Sequence, residues 1–158
     1  MGQIYSKSEL LTARADWKSR GKKVVFTNGC YDILHPGHIR LLEKARSLGD
    51  VLILALNTDA SVQRLKGPSR PLICQDHRGG LAAALEAVDA VTYFDEDTPR
   101  ELIAEVLPDV LVKGADYAED EIVGKKTVES RGGRVVRLPL VEGRSTSAIV
   151  EEIVRRHG

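Results

Sequence analysis

Phe26-Thr27-Asn28-Gly29-Cys30-Tyr31-Asp32-Ile33-Leu34-His35-Pro36-Gly37-His38 is the stretch on which the chain turns. The apolar Val24-Val25-Phe26 reads as a strand that runs into a polar turn containing glycine. A helix is predicted to start at Pro36, because the N–H that proline lacks would have no partner in the first helical turn anyway. His35 and His38 then flank a helix N-terminus, where unpaired backbone N–H groups and the helix dipole attract anions. Two imidazoles at such a place point to a phosphate-handling site.

Outward from that turn, strands and helices alternate. Residues 8–19 read as a helix capped by Ser8 and closed by Gly21, and strand one covers 24–27. The helix from Pro36 carries Ile39, Leu41, Leu42, Ala45 and Leu48, with Gly49 placed for a C-terminal cap. Strand two, 51–56, is an unbroken apolar run, as expected of a parallel strand covered on both faces. Asn57-Thr58-Asp59 caps a short helix to about residue 65, and a basic loop, Lys66-Gly67-Pro68-Ser69-Arg70-Pro71, follows.

The pattern next predicts a helix over 75–87 and strand three at 90–93. Thr98-Pro99-Arg100-Glu101 combines a capping box with proline at the first helical position, opening a helix through 107. Strand four lies at 110–112, a short helical stretch spans 119–131, and strand five is 134–138. Gly143-Arg144-Ser145-Thr146-Ser147 opens a last helix with Ile149, Val150, Ile153 and Val154 at its apolar positions. This alternation argues for an α/β fold: a doubly wound, five-stranded parallel sheet with right-handed crossovers. In such sheets ligands bind at the carboxyl ends of the strands near the switch point, and four polar segments fall there: 28–38, 57–59, 113–117 and 143–147.

A length of 158 residues suits a single domain, 1–158, with 1–21 as an N-terminal helical extension. Lys+Arg 23 against Asp+Glu 23 leaves no net charge, so no global field draws in nucleic acid or an acidic membrane, and phosphate affinity must come from local placement. No apolar run approaches a membrane span, and no signal-peptide pattern opens the chain. Cys30 and Cys74 are too few for a disulfide framework, so a reducing, cytoplasmic home is the expectation.

His35 and His38 could ligate zinc by spacing, but neither a His-Glu-x-x-His pattern nor a cysteine cluster supplies further ligands, so no protein-held metal is expected. As caps or surface residues they would be unremarkable. As phosphate ligands they would donate hydrogen bonds to oxygens that gain charge in a transition state. Ser145, Thr146 and Ser147 read either as a plain N-cap or as a helix start built to hold phosphate. No Gly-x-Ser-x-Gly elbow, Gly-x-Gly-x-x-Gly turn or Gly-Lys-Ser/Thr loop is present. Lys66, Arg70 and Arg78 are either solvated charges or a phosphate clamp on a stiff Gly-Pro loop. Lys44 points either with the histidines or into solvent. Asp32 suits either a magnesium-bound phosphate or an Asx turn.

The stretch Asn28-Gly29-Cys30-Tyr31-Asp32-Ile33-Leu34-His35-Pro36-Gly37-His38 resembles the His-x-Gly-His signature of the cytidylyltransferase-like nucleotidyltransferases, and Gly143-Arg144-Ser145-Thr146-Ser147-Ala148-Ile149 resembles their second, Ser/Thr-rich motif. Asn57-Thr58-Asp59-Ala60-Ser61-Val62, Leu65-Lys66-Gly67, Glu96-Asp97-Thr98-Pro99 and the run LPDVLVKG at 107–114 look more specifically like the adenylyltransferase domain of bacterial heptose-phosphate synthesis. That domain is often fused to a sugar kinase.

The resemblance implies a three-layer, Rossmann-like fold, a homodimer, and transfer of AMP from ATP to D-glycero-β-D-manno-heptose 1-phosphate. ADP-heptose for lipopolysaccharide core assembly and pyrophosphate would be the products. It implies that His35 and His38 stabilise the α-phosphate, with Lys44, Ser145 and Thr146 as further catalytic candidates. The nucleotide would be held by Thr27, Asn28, Gly29, Cys30, Tyr31, Asp32 and Gly37 in the turn, by Asn57, by Lys113, Gly114 and Asp116, and by Ser147. Lys66, Arg70 and Arg78 match positions expected to bind phosphates. Magnesium would ride mainly on the phosphates of ATP, with Asp32 as the protein's candidate ligand.

Two places depart from that pattern: Arg78-Gly79-Gly80-Leu81 replaces a bulkier helix start, and Ile73 stands where a polar residue is common. They leave a cytidylyltransferase acting on glycerol 3-phosphate or another polyol phosphate as the alternative enzyme. A non-catalytic nucleotide-binding module is the alternative of another class.

Overall fold

The computed structural model describes residues 1–143 and 145–158; Arg144 of the second motif lies outside them. In chain order the elements are β1 (Gln3–Ile4), α1 (Lys7–Ser19), β2 (Val24–Gly29), α2 (Pro36–Arg46), β3 (Val51–Asn57), α3 (Asp59–Lys66), α4 (Gln75–Ala83), β4 (Ala90–Phe94), α5 (Arg100–Val106), β5 (Val110–Gly114), α6 (Lys125–Ser130), β6 (Arg134–Leu138) and α7 (Thr146–His157). All strand pairs are parallel, in the order β1-β4-β3-β2-β5-β6.

Among the described residues the sheet therefore has six strands rather than the expected five. Gln3 and Ile4 pair with Ala90 and Val91, so the N-terminal segment contributes a strand as well as a helix. Two exposed residues carry no period that a sequence pattern could reveal.

Side chains alternate between the two faces of each strand. Val24, Phe26, Ile53 and Leu111 face one core with Leu10, Ile103 and Val128, while Val25, Leu52, Leu54 and Val112 face the other with Leu42 and Ala82. Helices thus cover both faces, giving three layers. From β2 the chain steps through β3 to β4, and β5 then returns to the opposite side of β2. The switch point lies between β2 and β5, whose carboxyl ends are the turn after Gly29 and the segment after Gly114.

Several element boundaries shift from the expectation. Ser6, not Ser8, caps α1, through a reciprocal box with Glu9. Helix α2 ends at Arg46 with Ser47 as its cap, before Gly49, and α4 stops at Ala83. The capping box expected at Thr98 does not form, because Pro99 itself takes the cap position of α5 and no side chain bonds there. The stretch 119–131 divides into a 3₁₀ turn, Glu119–Glu121, and α6, separated at Gly124 with φ 87°.

Candidate active site

His35 sits at the N-cap of α2 with extended backbone, φ −143° and ψ 165°, and Pro36 starts the helix. Its side chain makes no cap bond; the carbonyl of His35 instead accepts from the His38 N–H at 2.9 Å. The imidazoles are consequently not used as helix caps. They stack on each other, ring centroids 3.8 Å apart and planes 22° apart, and the Tyr31 ring lies 4.5 Å from that of His38, tilted by 35°. Burial, then the neighbouring His35, pushes the His38 pKa down to about 4, so this imidazole is neutral at pH 7. Its Nδ1 is buried with no hydrogen-bond partner. A buried N–H without an acceptor is costly, which assigns the proton to Nε2 as a neutral donor.

The second motif arrives at the same place. Ser145 caps α7 by accepting from the Ala148 N–H at 3.0 Å, so the plain capping role holds for this hydroxyl. Thr146 Oγ1 donates to the carbonyl of Ile33, 113 residues away in sequence and two residues before His35, at 3.3 Å. This bond joins the two ends of the chain. Ser147 is exposed in the first turn of α7.

A third wall comes from β5. The buried Lys113 ammonium donates to Asn28 Oδ1 across the β2–β5 seam and lies 5.6 Å from the Tyr117 ring. Burial pulls its pKa down to about 8, against the opposing pull of Asp116. The Asp116 carboxylate folds back over Gly114, 2.6 Å from where a Cβ would stand. Thr27 Oγ1 bonds the Val112 carbonyl at 3.1 Å across the same seam. Thr27, Asn28, Lys113, Gly114 and Asp116 thus line one edge together with the turn.

The remaining expected ligands divide. Asp32 is not available to a metal: its carboxylate, 1% exposed, accepts the N–H groups of Leu72 and Ile73, each at 2.9 Å, and pairs with Arg70 Nε at 2.6 Å. Burial alone would raise its pKa, but these donors outweigh it and hold the carboxyl below its usual range. Among the described residues no group of three or more His, Cys, Asp or Glu side chains is placed to hold a metal ion. Asp32 is thus already committed to Arg70 and to the backbone of Leu72 and Ile73.

Arg78 is likewise neither solvated nor open to phosphate. Its side chain is fully buried and bonds the Ile73 carbonyl at 2.9 Å, the Cys30 carbonyl at 2.7 Å and Asp59 Oδ1 at 2.7 Å. Asn57 is buried, bonding Ser61 Oγ at 3.0 Å and receiving the Cys30 thiol at 3.8 Å, a thiol whose pKa burial raises. The polar atoms of these residues are engaged within the chain, around the turn. Lys66 is exposed at the end of α3, close enough to influence the Cys30 thiol, and makes no salt bridge among the described residues. Gly37 lies in the first turn of α2. Lys44 is exposed and sits six residues beyond His38, about 9 Å further along α2, so the structure does not gather it with the histidines.

Sequence reading passed over two features of the site. Asp59, taken only as part of a cap, is the partner of Arg78. Tyr31, expected only as a nucleotide-binding residue of the turn, also packs its ring against His38 of the histidine stack. The signal for the second was in view: an aromatic two residues after a glycine, in a turn that must reverse direction.

The profile of the cytidylyltransferase-like family matches residues 26–152, spanning both motifs. The chain belongs to this family. Among its relatives, bifunctional protein HldE of Trichlorobacter lovleyi is 55% identical over 150 residues, covering 95% of this chain and 30% of the relative. HldE of Citrifermentans bemidjiense is 58% identical, covering 96% and 31%. The chain thus spans about a third of the length of the curated relatives it matches. The crystal structure of the lipopolysaccharide core biosynthesis protein from Thermoplasma volcanium superposes with a TM-score of 0.63 at 30% identity, covering 77% of this chain and 98% of that one. The matched span contains both the His-x-Gly-His turn and the Ser/Thr motif, and the Thr146–Ile33 bond shows how they meet.

Proposed function

We propose that the chain is a nucleotidyltransferase that passes AMP from ATP to D-glycero-β-D-manno-heptose 1-phosphate, forming ADP-heptose and pyrophosphate. One observation carries the reading: a stacked histidine pair at the start of α2, its His38 ring neutral, tied by Thr146 to the second motif at the start of α7. The relatives named HldE and the lipopolysaccharide core neighbour support the choice of sugar, as does the resemblance of 107–114 to the heptose adenylyltransferases.

An oxygen of the sugar phosphate attacks the α-phosphorus in line. The new O–P bond forms as the bond to the β-phosphate bridging oxygen breaks, and pyrophosphate leaves with the bonding electrons. The attacking phosphate is already an anion, so no strong base is needed, and catalysis rests on position and on stabilising charge. The neutral His38 donates from Nε2 to an equatorial α-phosphate oxygen, with His35 beside it. Lys113, Asn28 and the α7 start line the nucleotide side, and Lys66 is the basic side chain left for a phosphate. Magnesium enters on the nucleotide's own phosphates. A homodimer, on the strength of the resemblance, and a cytoplasmic home, on the sparse cysteines, complete the proposal.

The test is pyrophosphate release over a panel of nucleotides and sugar phosphates. Release from ATP that depends on the heptose 1-phosphate supports the reading. Release from CTP with glycerol 3-phosphate, and none with the heptose phosphate, replaces it with cytidylyl transfer.

A further inference from the structure

The Tyr31 ring lies against His38, tilted by 35° at 4.5 Å, while His35 stacks on the same imidazole, and the way the chain holds Tyr31 is unusual. Tyr31 has φ 48°, a left-handed conformation that aromatic residues rarely adopt and that persists only where surroundings over-determine it. Gly29 leaves the room: a Cβ there would lie 2.9 Å from Tyr31 Cε2, well inside contact. Tyr31 is only 9% exposed and packs in the same core cluster as Leu42 of α2. A residue that merely filled this core would need neither a strained backbone nor a glycine cut to its outline.

We propose that Tyr31 is a positioning residue for His38: its ring, wedged between Gly29 and the core, fixes the plane in which His38 presents its N–H to the reacting phosphorus. The proposal rests on the nucleotidyl-transfer reading above. Without the ring, His38 would rotate out of line and water would reach its buried face. The titratable groups that face His38 are Tyr31 itself and His35.

The experiment compares Tyr31→Leu and Tyr31→Phe by steady-state kinetics and by NMR titration of labelled histidines in the free enzyme. Tyr31→Leu is expected to lower kcat roughly 10- to 100-fold, as loss of alignment does, while leaving KM for ATP nearly unchanged. Its His38 should titrate closer to 6.5 than to the value of about 4 in the parent. Tyr31→Phe keeps the ring and should recover most of the lost kcat and the depressed titration. If Tyr31→Leu does not fold, Gly29→Ala, which pushes the ring aside, should change both readouts in the same direction. A folded Tyr31→Leu with parental kcat and parental His38 titration overturns the proposal, as does Tyr31→Phe proving as impaired as Tyr31→Leu. If the parent enzyme releases no pyrophosphate with any substrate, the functional reading fails, and the His38 titration alone decides whether the ring governs the imidazole.

Discussion

The hydroxyl oxygen of Tyr93 lies 1.9 Å from the point where a Cβ on residue 79 would begin, so Gly79 and Tyr93 share one volume. The Tyr93 hydroxyl donates to the Gln75 carbonyl at 3.1 Å, tying the first turn of α4 to β4. Gly79 thus has a packing role, and one half of the unusual Gly79-Gly80 pair is explained. A Cβ on Gly80 meets nothing within 4 Å. Gly79→Ala is expected to destabilise by about 1–3 kcal/mol through overpacking. Gly80→Ala should stabilise by up to about 1 kcal/mol through helix propensity. Urea unfolding of the two variants, which differ by one position, checks the pair; equal midpoints would refute the shared-volume account.

Asp32 latches residues 70–73 to the turn that carries the histidines. Asp32→Asn leaves Arg70 uncompensated and removes one acceptor from two backbone N–H groups, at an expected cost of about 3 kcal/mol. Because the folded pKa lies below that of an unfolded carboxyl, the latch contributes fully above the unfolded value and is lost as pH falls through the folded one. The difference in unfolding free energy between parent and variant should therefore shrink in acid. A constant difference from pH 7 to pH 2 would contradict it.

For His38 the sign is set by the same comparison. Its folded value of about 4 lies below the ordinary 6.5, so the fold favours the neutral ring. Its contribution to stability is complete above pH 6.5 and is lost as pH falls from there toward 4. The acid limb of kcat/KM should show no inflection from this residue near 6.5. Replacing it, as His38→Ala, should lower kcat by roughly 10²- to 10³-fold, the scale seen when one transition-state donor is removed. Rapid quench of a single turnover separates that loss from product release.

Lys113 titrates in a range useful to a binding assay. With a folded value of about 8 against 10.5, its contribution to folding stability grows as pH rises from 8 to 10.5. A bound triphosphate favours the charged form, so ATP binding near pH 8.5 should take up a fraction of a proton, and affinity should weaken above pH 8. Calorimetry in buffers of different ionisation enthalpy measures the uptake, and Lys113→Met should abolish it.

How far the sequence could be read depends on the range of the forces involved. The unbroken apolar run at 51–56 and the proline start at Pro36 are local signals, and β3 and α2 formed where they indicated. The polar ends of β2, β3 and β5 lie on the carboxyl side of the sheet, as the α/β alternation required. The fate of the arginines was not local. Arg78 meets the Cys30 carbonyl 48 residues away, and Arg70 meets Asp32 at a separation of 38. A basic residue in a phosphate-binding protein reads as a phosphate ligand until the fold supplies a nearer acceptor. The two-residue β1 was invisible for the opposite reason, being too short to show any pattern.

The two motifs ride on parts of the molecule that should open at different free energies. The turn with the histidines continues β2, an inner strand bonded to β3 on one side and β5 on the other. Helix α7 follows the edge strand β6 and contains no buried residue among those described. Amide exchange is slowest in doubly paired core strands and fastest where little apolar contact holds an element. The α2 half of the candidate site therefore belongs to the last unit to unfold and the α7 half to one of the first, joined through Thr146 and Ile33. A triphosphate bridging them lends the protection of the sheet's centre to its rim, and the gain in exchange protection on nucleotide binding should be concentrated in α7.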